Sequence, residues 1–471
     1  PARDGGNVGR KSFVAAVLGG LLSIGWDAAT GAPQPLVIER VTVLPMTPAG
    51  ALLHEVTVVI ENRRINWIGE SALAPVPRGA RTVDGRGKFL LPGFTDMHMH
   101  LLNDRLMRLW TGDESMPDGY VKLDDVLLPY IANGITQVFN LSAMSESIGQ
   151  RIDVNSGRVL GPHIANAALI DGSPPTWPQG MSRSVATPEG GRQAVRDVAA
   201  EDYDFIKVYS KLSLETFTAI LDEARKLELR VLGHIPQREK GLTEKFFQPG
   251  FDLVTHAEEF AQQTNPPAQD AIPRYVEMAR RNQTWLTATL TLDERILEQM
   301  QDPGSLAARR DLRHLLPDEF RVLLHDNPYQ KEIDNERIAY VKRIVDFNRE
   351  VIRAFAAAGI PVLTGTDSPV PGVAPGFSLH DEFESLSRAG MSNMKILEGT
   401  TRLPAQWLRT LDDRGTVERG KRADLVLLDA NPLENIAHTR RISAVIVGGR
   451  YVERAELDRR MKVLAKRNSA N

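Results

Sequence analysis

Along residues 35–90 the apolar positions come in short runs: Leu36-Val37-Ile38, Val41-Thr42-Val43-Leu44, Val56 to Ile60 and Ile65 to Ile68. The first two runs are rich in β-branched residues, and Asn62 and Gly69 fit turn positions, so the pattern predicts short strands of a small β-sandwich. From about residue 90 to 410 the pattern changes. Apolar runs at Phe89 to Phe94, Ile135 to Leu141, Ile164 to Ile170, Phe205 to Tyr209, Val231 to His234, Leu253 to His256, Trp285 to Leu290 and Pro361 to Thr366 alternate with amphipathic stretches. In Leu214 to Glu228, for instance, Phe217, Ile220, Leu221 and Ala224 recur at helical spacing. Strands alternating with helices predict parallel βα units, and eight such runs predict a (β/α)₈ TIM barrel. Ala423 to Asp429 and Ile442 to Val447 return to strand character, with Gly448-Gly449 as a turn. They are expected to complete the sandwich, so that both chain ends flank the barrel.

The predicted organisation is a signal-like segment over 1–32, sandwich over 33–90, barrel over 91–410, sandwich again over 411–455, and a charged helical tail over 456–471. Arg10 and Lys11 precede an apolar run from Phe13 to Trp26, and small residues follow up to Thr30-Gly31-Ala32. That order predicts an export signal and a periplasmic destination, or a cytoplasmic one if the segment is no signal. No later stretch approaches the ~20 apolar residues of a membrane span, so none is expected in the mature chain.

Composition narrows the chemistry. The 471 residues carry 57 Lys and Arg against 60 Asp and Glu, a net charge of −3, which disfavours nucleic acid as a partner. There is no cysteine, so disulfides, thiolate metal sites and a cysteine nucleophile are excluded. Any metal must be held by nitrogen and oxygen ligands.

Candidate ligands fall at strand ends. In Asp96-Met97-His98-Met99-His100, the two histidines share one face of a strand and can chelate a divalent ion. Lys207 sits inside the apolar run Phe205 to Tyr209, His234 and His256 each end a strand, and Asp367 ends Val362 to Asp367. From Lys207 to His234 is 27 residues and from His234 to His256 is 22, each close to one βα unit. That spacing assigns the six groups to strands one, four, five, six and eight, at the end where such a barrel keeps its reactive groups.

This set resembles the metal site of the amidohydrolase superfamily. The lead-in Pro92-Gly93-Phe94-Thr95-Asp96 and the segment Gly420 to Asp429 followed by Asn431-Pro432-Leu433 are similar to its signatures. Lys207-Val208-Tyr209-Ser210 and Gly233-His234-Ile235-Pro236 resemble the branch containing imidazolonepropionase-like proteins, Xaa-Pro and Xaa-Arg dipeptidases and ochratoxin-hydrolysing amidohydrolases. The resemblance implies two divalent metal ions, zinc foremost. His98, His100 and Asp367 would hold one, His234 and His256 the other, and Lys207 would bridge them as a carbamate. It implies hydrolysis of an amide or peptide bond, in a dipeptide or N-acyl amino acid, by a hydroxide shared between the metals. Asp367 would move the proton. The alternatives are a mononuclear cyclic-amide hydrolase or deaminase of the imidazolonepropionase type, and a lactonase or esterase. Tyr209 resembles the family tyrosine that meets the substrate carboxylate, and His380 after the eighth strand is a second candidate substrate residue. A homo-oligomer, up to an octamer, is implied as well. The loop Asp171 to Trp177 departs from the family by lacking its histidine. Residues 291–345 form a charged helical insertion of open role, and Trp110 is a candidate apolar wall.

Overall fold

The computed structural model describes residues 33–469 apart from 326 and 332, so the signal-like segment predicted over 1–32 lies outside the described residues. Among the described residues, seventeen strands divide into two sheets. The first comprises β1 (Leu36–Val43), β2 (Leu53–Glu61), β3 (Arg64–Glu70), β4 (Arg81–Asp84) and β5 (Phe89–Pro92). The barrel follows with β6 (Phe94–Met99), β7 (Ile135–Asn140), β8 (His163–Gly172), β9 (Arg183–Val185), β10 (Phe205–Val208), β11 (Arg230–Gly233), β12 (Phe251–Thr255), β13 (Trp285–Thr287) and β14 (Val362–Leu363). The last three, β15 (Leu425–Leu428), β16 (Ile442–Val447) and β17 (Arg450–Glu453), return to the first sheet, whose order is β17-β16-β15-β5-β1-β2-β3 with β4 beside β1. Both chain ends thus build the flanking domain, packed around Ile38, Val58, Leu90, Leu425 and Ile446.

The other sheet runs β6-β7-β8-β10-β11-β12-β13-β14, all neighbours parallel, with the short β9 added to β8. Backbone bonds from Met97 to Thr364 (3.0 Å), Thr366 to His98 (3.1 Å) and His100 to Ser368 (2.8 Å) draw β14 back to β6 and close the ring. Side chains alternate across each wall. In β10, Phe205 joins the barrel interior with Phe139, Leu232, Leu253 and Trp407, while Ile206 and Val208 pack outward under the helices. Lys207, two residues from Phe205, therefore points inward.

The predicted first barrel strand, Phe89 to Phe94, needs correction. Phe89–Pro92 belongs to the flanking sheet and pairs with β15, and the barrel starts at Phe94. The change of sheet falls at Gly93. Its N–H donates to the Asp424 carbonyl at 2.9 Å, and a Cβ there would sit 2.2 Å from Thr136 Oγ1. Only a residue without a side chain fits that crossing.

Helices cover the barrel. Helix Leu214–Lys226 starts where Ser213 Oγ accepts from the Thr216 N–H at 3.3 Å, and it buries Phe217, Ile220, Leu221 and Ala224. The cap is worth about 1 kcal/mol, whereas truncating buried Phe217 to alanine would cost about 3–5 kcal/mol. Packing therefore dominates over local propensity in holding this helix. Among the described residues, no helix is long and apolar enough to cross a membrane.

Candidate active site

All six residues expected to hold metal lie at the carboxyl ends of barrel strands, and all but His100 are buried. His98 and His100 end β6, where a register shift against β7 falls between Asp96 and Met99. Lys207 is in β10, and His234, His256 and Asp367 follow β11, β12 and β14. His98 Nε2 lies 3.2 Å from Lys207 Nζ and 3.0 Å from Asp367 Oδ1, and His100 Nε2 lies 2.8 Å from the same Oδ1. The His98 and His256 rings are 4.4 Å apart, and His256 and His234 are 5.1 Å apart. One ligand atom each from His98, His256 and Asp367 lie within 4.8 Å of one another. His256 thus stands between His98 and His234, so the expected pairing of His256 with His234 sets the two candidate sites side by side.

The outer nitrogens of three histidines are held by neighbouring strand ends. Ser142 Oγ is 2.7 Å from His100 Nδ1, and Thr289 Oγ1 is 2.9 Å from His256 Nδ1. Glu259 Oε1 lies 2.7 Å from His234 Nδ1 while its Oε2 accepts from the Ile235 N–H at 2.8 Å. Such contacts fix ring orientation and leave the remaining nitrogen for a ligand. His234 Nε2 is buried without a hydrogen-bond partner. A buried orphan nitrogen beside three imidazoles, an amine and a carboxylate, with no sulfur present, is a donor set suited to divalent zinc or a similar cation.

Charge and backbone reinforce that reading. Burial would raise Asp367, but the imidazoles of His98 and His100 outweigh it and hold the carboxyl well below its usual range. Burial, with Lys207 adding to it, pushes His98 down to about 3, so the ring is neutral as a ligand requires. Burial also draws Lys207 down to about 8 against the opposing pull of Asp367 and Glu259, which enlarges its neutral share. His256 (φ 75°), Asp367 (φ 62°) and Thr289 (φ 48°) all adopt left-handed backbone. Strain of about 1–3 kcal/mol at such positions is typical of functional sites. Below them Asp96, buried at the start of the H-x-H segment, accepts from Thr366 Oγ1 at 2.7 Å and from the N–H groups of Thr366 and His98, tying β6 to the Asp367 loop.

Above the cluster opens a cavity of about 810 Å³. Tyr209, whose ring centre is 3.9 Å from that of His234, lines it, as does Trp110. The loop that lacks the family histidine contributes Trp177, and the helical insertion contributes Leu292, Ile296 and Tyr329. Lys211 and Arg238 bring positive charge to the wall. His380 does not reach this space, contrary to its expected substrate role. It is 1% exposed, its Nδ1 lies 2.9 Å from Thr439 Oγ1 and its Nε2 3.1 Å from the Asn133 carbonyl, with Phe94 and Phe383 edge-on. It is a packed histidine between barrel and flanking domain.

Ser142, Glu259 and Thr289 carried no sequence signal of their own, because each acts on a ring contributed by a different strand, and Asp96 was legible only as part of the lead-in to the H-x-H segment.

Comparison with known proteins fits this arrangement. The profile of the Amidohydrolase family matches residues 89–452. Imidazolonepropionase of Streptomyces avermitilis is 33% identical over 94 residues, which cover 20% of this chain and 21% of that enzyme. The chain thus aligns with about a fifth of the length of that curated relative. A Xaa-Pro dipeptidase with bound methionine in its active site superimposes with a TM-score of 0.66 at 19% identity, over 89% of this chain and 100% of the other. Ochratoxinase of A. niger does so with 0.63 at 19%, over 89% and 95%. At that identity the superpositions speak for the shared barrel and flanking sheet, and the profile match, over more than half the chain, speaks for descent: the chain belongs to the amidohydrolase family.

Proposed function

We propose that this protein is a metal-dependent hydrolase that cleaves the C–N bond of a dipeptide or N-acyl amino acid. The observation that carries the reading is the convergence of His98, His100, Lys207, His234, His256 and Asp367 at the floor of one cavity. His98, His100 and Asp367 would hold one divalent ion, His234 and His256 a second, and Lys207 would join them as a carbamate. The adjacency of His98 and His256 supports two sites that share a wall. When bound, such ions lower the pKa of an attacking water and polarise the scissile carbonyl.

The chain's own residues supply the rest. Asp367, held between His98 and His100, is placed to take a proton and to return it to the leaving amine. Tyr209 stands over His234 and orients the substrate across the cluster. Trp110, Trp177 and Tyr329 form an apolar wall that excludes water around an acyl or side-chain group. Lys211 and Arg238 provide a positive edge for the carboxylate left free in such a substrate.

The test is a screen of dipeptides, N-acyl amino acids and lactones, with metal analysis on the same sample. Turnover of an amide with about two metals per chain is expected. A Lys207→Ala variant should drop towards one metal, and His234→Ala should lose nearly all activity with the fold retained. Rapid lactone hydrolysis with no amide cleaved would overturn the substrate class. One metal per wild-type chain would favour the mononuclear reading.

A further inference from the structure

At the opposite end of the barrel, where the flanking domain meets the amino-terminal end of β8, a second cavity of about 360 Å³ opens. Arg63, Arg81, Arg158, Arg422 and Arg450 line it, against a single carboxylate, Asp424. That carboxylate is already engaged. Its Oδ1 accepts from the Gly448 N–H at 2.6 Å, and Oδ2 lies 3.3 Å from Arg422 Nε. Arg81 pairs with Glu453 and lies over the Tyr451 ring, and Arg158 pairs with Asp153 at 2.7 Å. Arg63 is different: among the described residues its guanidinium meets no acid and makes no hydrogen bond.

Arg63 also occupies an expensive position. It is the second residue of the tight turn between β2 and β3, and both Asn62 (φ 50°) and Arg63 (φ 67°) are left-handed there. Glycine is the favoured residue at that place. The turn aims the side chain across the domain junction at Gly157, where an added Cβ would come 2.9 Å from Nη1. His163, at the start of β8, faces the same cavity with its Nδ1 buried and unpartnered. Burial, with the nearby guanidinium groups of Arg414, Arg422 and Arg151 adding to it, pushes this histidine well below its usual value.

We propose that this cavity is a binding site for a phosphate group, free or as the monoester of a small polar molecule, bridging the flanking domain to the barrel. Guanidinium groups from two domains line one space; Arg81, Arg158, Arg422 and Arg450 already have partners, and the uncommitted fork of Arg63 among them matches the charge and the several acceptor oxygens of phosphate. The amino-terminal end of such a barrel bears on stability and not on the reaction, so occupancy should tighten the domain junction and leave the metal cluster untouched.

The experiment titrates the metal-loaded full chain with inorganic phosphate and with glycerol 3-phosphate, by calorimetry and thermal unfolding, at ionic strength held constant with potassium chloride. Saturable binding with a raised unfolding temperature is expected. Arg63→Gln and the exposed Arg158→Gln should each weaken it by about tenfold, with metal content unchanged. Tighter binding of the ester would identify a phosphorylated metabolite as the ligand, and equal binding free phosphate. The proposal is overturned if phosphate gives no saturable signal beyond potassium chloride. It is equally overturned if wild type and whichever of the two variants fold bind phosphate alike, since phosphate would then be at the metal rim.

Discussion

Glu259 follows His256 by three residues, yet its carboxylate holds His234. The residue is 1% exposed, and its second oxygen is fixed by the Ile235 N–H, so the acid cannot swing away. Glu259→Ala should therefore free the His234 ring and weaken metal binding by about 10- to 100-fold, measured by chelator competition, with the fold intact. Glu259→Gln, which can still accept at one oxygen, should retain more affinity; equal loss in both would count against the orienting role. At this scale the candidate ligands were legible and the residues that hold them were not. A histidine ending an apolar run at the period of a βα unit announces itself in one dimension. Ser142, Glu259 and Thr289 matter only because neighbouring strands bring them within 3 Å of another strand's ring. His380 misled for the same reason: its position after the eighth strand said nothing about which way its helix would face.

Among the elements, the strand ends are shaped by glycines at two close approaches. Gly93 lets the chain pass from the flanking sheet into the barrel, and Gly233 (φ 138°) lets β11 deliver His234 against β10. A Cβ at Gly233 would fall 2.1 Å from the Val208 carbonyl oxygen, which is rigid backbone. Gly233→Ala should cost more than about 2 kcal/mol, seen as a lowered thermal midpoint and reduced metal content. An alanine variant of unchanged midpoint would show that β10 and β11 can separate cheaply. The alternation of apolar runs and amphipathic helices fixed eight barrel strands in advance, but the run Phe89 to Phe94 hid a boundary. Both halves of it are apolar because both sheets bury them, so hydropathy could not tell where one sheet ended. The insertion shows the same limit. Its helical pattern was plain, and only packing revealed that Leu292, Ile296 and Tyr329 wall the cavity.

For the whole molecule, buried histidines away from the cluster couple stability to pH. Burial depresses His380 to about 3 and His314 to about 4 from an ordinary 6.5. In the unfolded chain both take up a proton near 6.5, while in the folded chain they stay neutral, so acid favours unfolding. Their contribution is complete above about pH 6.5 and drains away as pH falls towards 4 and then 3, at up to about 1.4 kcal/mol per pH unit for each ring. Denaturant midpoints should therefore fall between about pH 7 and pH 5. The His380→Gln variant, though less stable at neutral pH, should show a shallower fall; an unchanged slope would remove His380 from the account. By itself the amino-acid order determined the βα alternation, the return of both ends to one flanking domain, and six ligand-type side chains spaced to meet at one rim. Those are properties of periodicity and residue chemistry, which a chain carries without folding. Tertiary structure alone decided that His98 faces His256, that Glu259 and Thr289 aim the imidazoles, that His380 is sealed into a domain contact, and that arginines distant in sequence share one cavity. Each of these depends on distances between segments far apart along the chain, set only once twisted, closed and packed strands fix their registers.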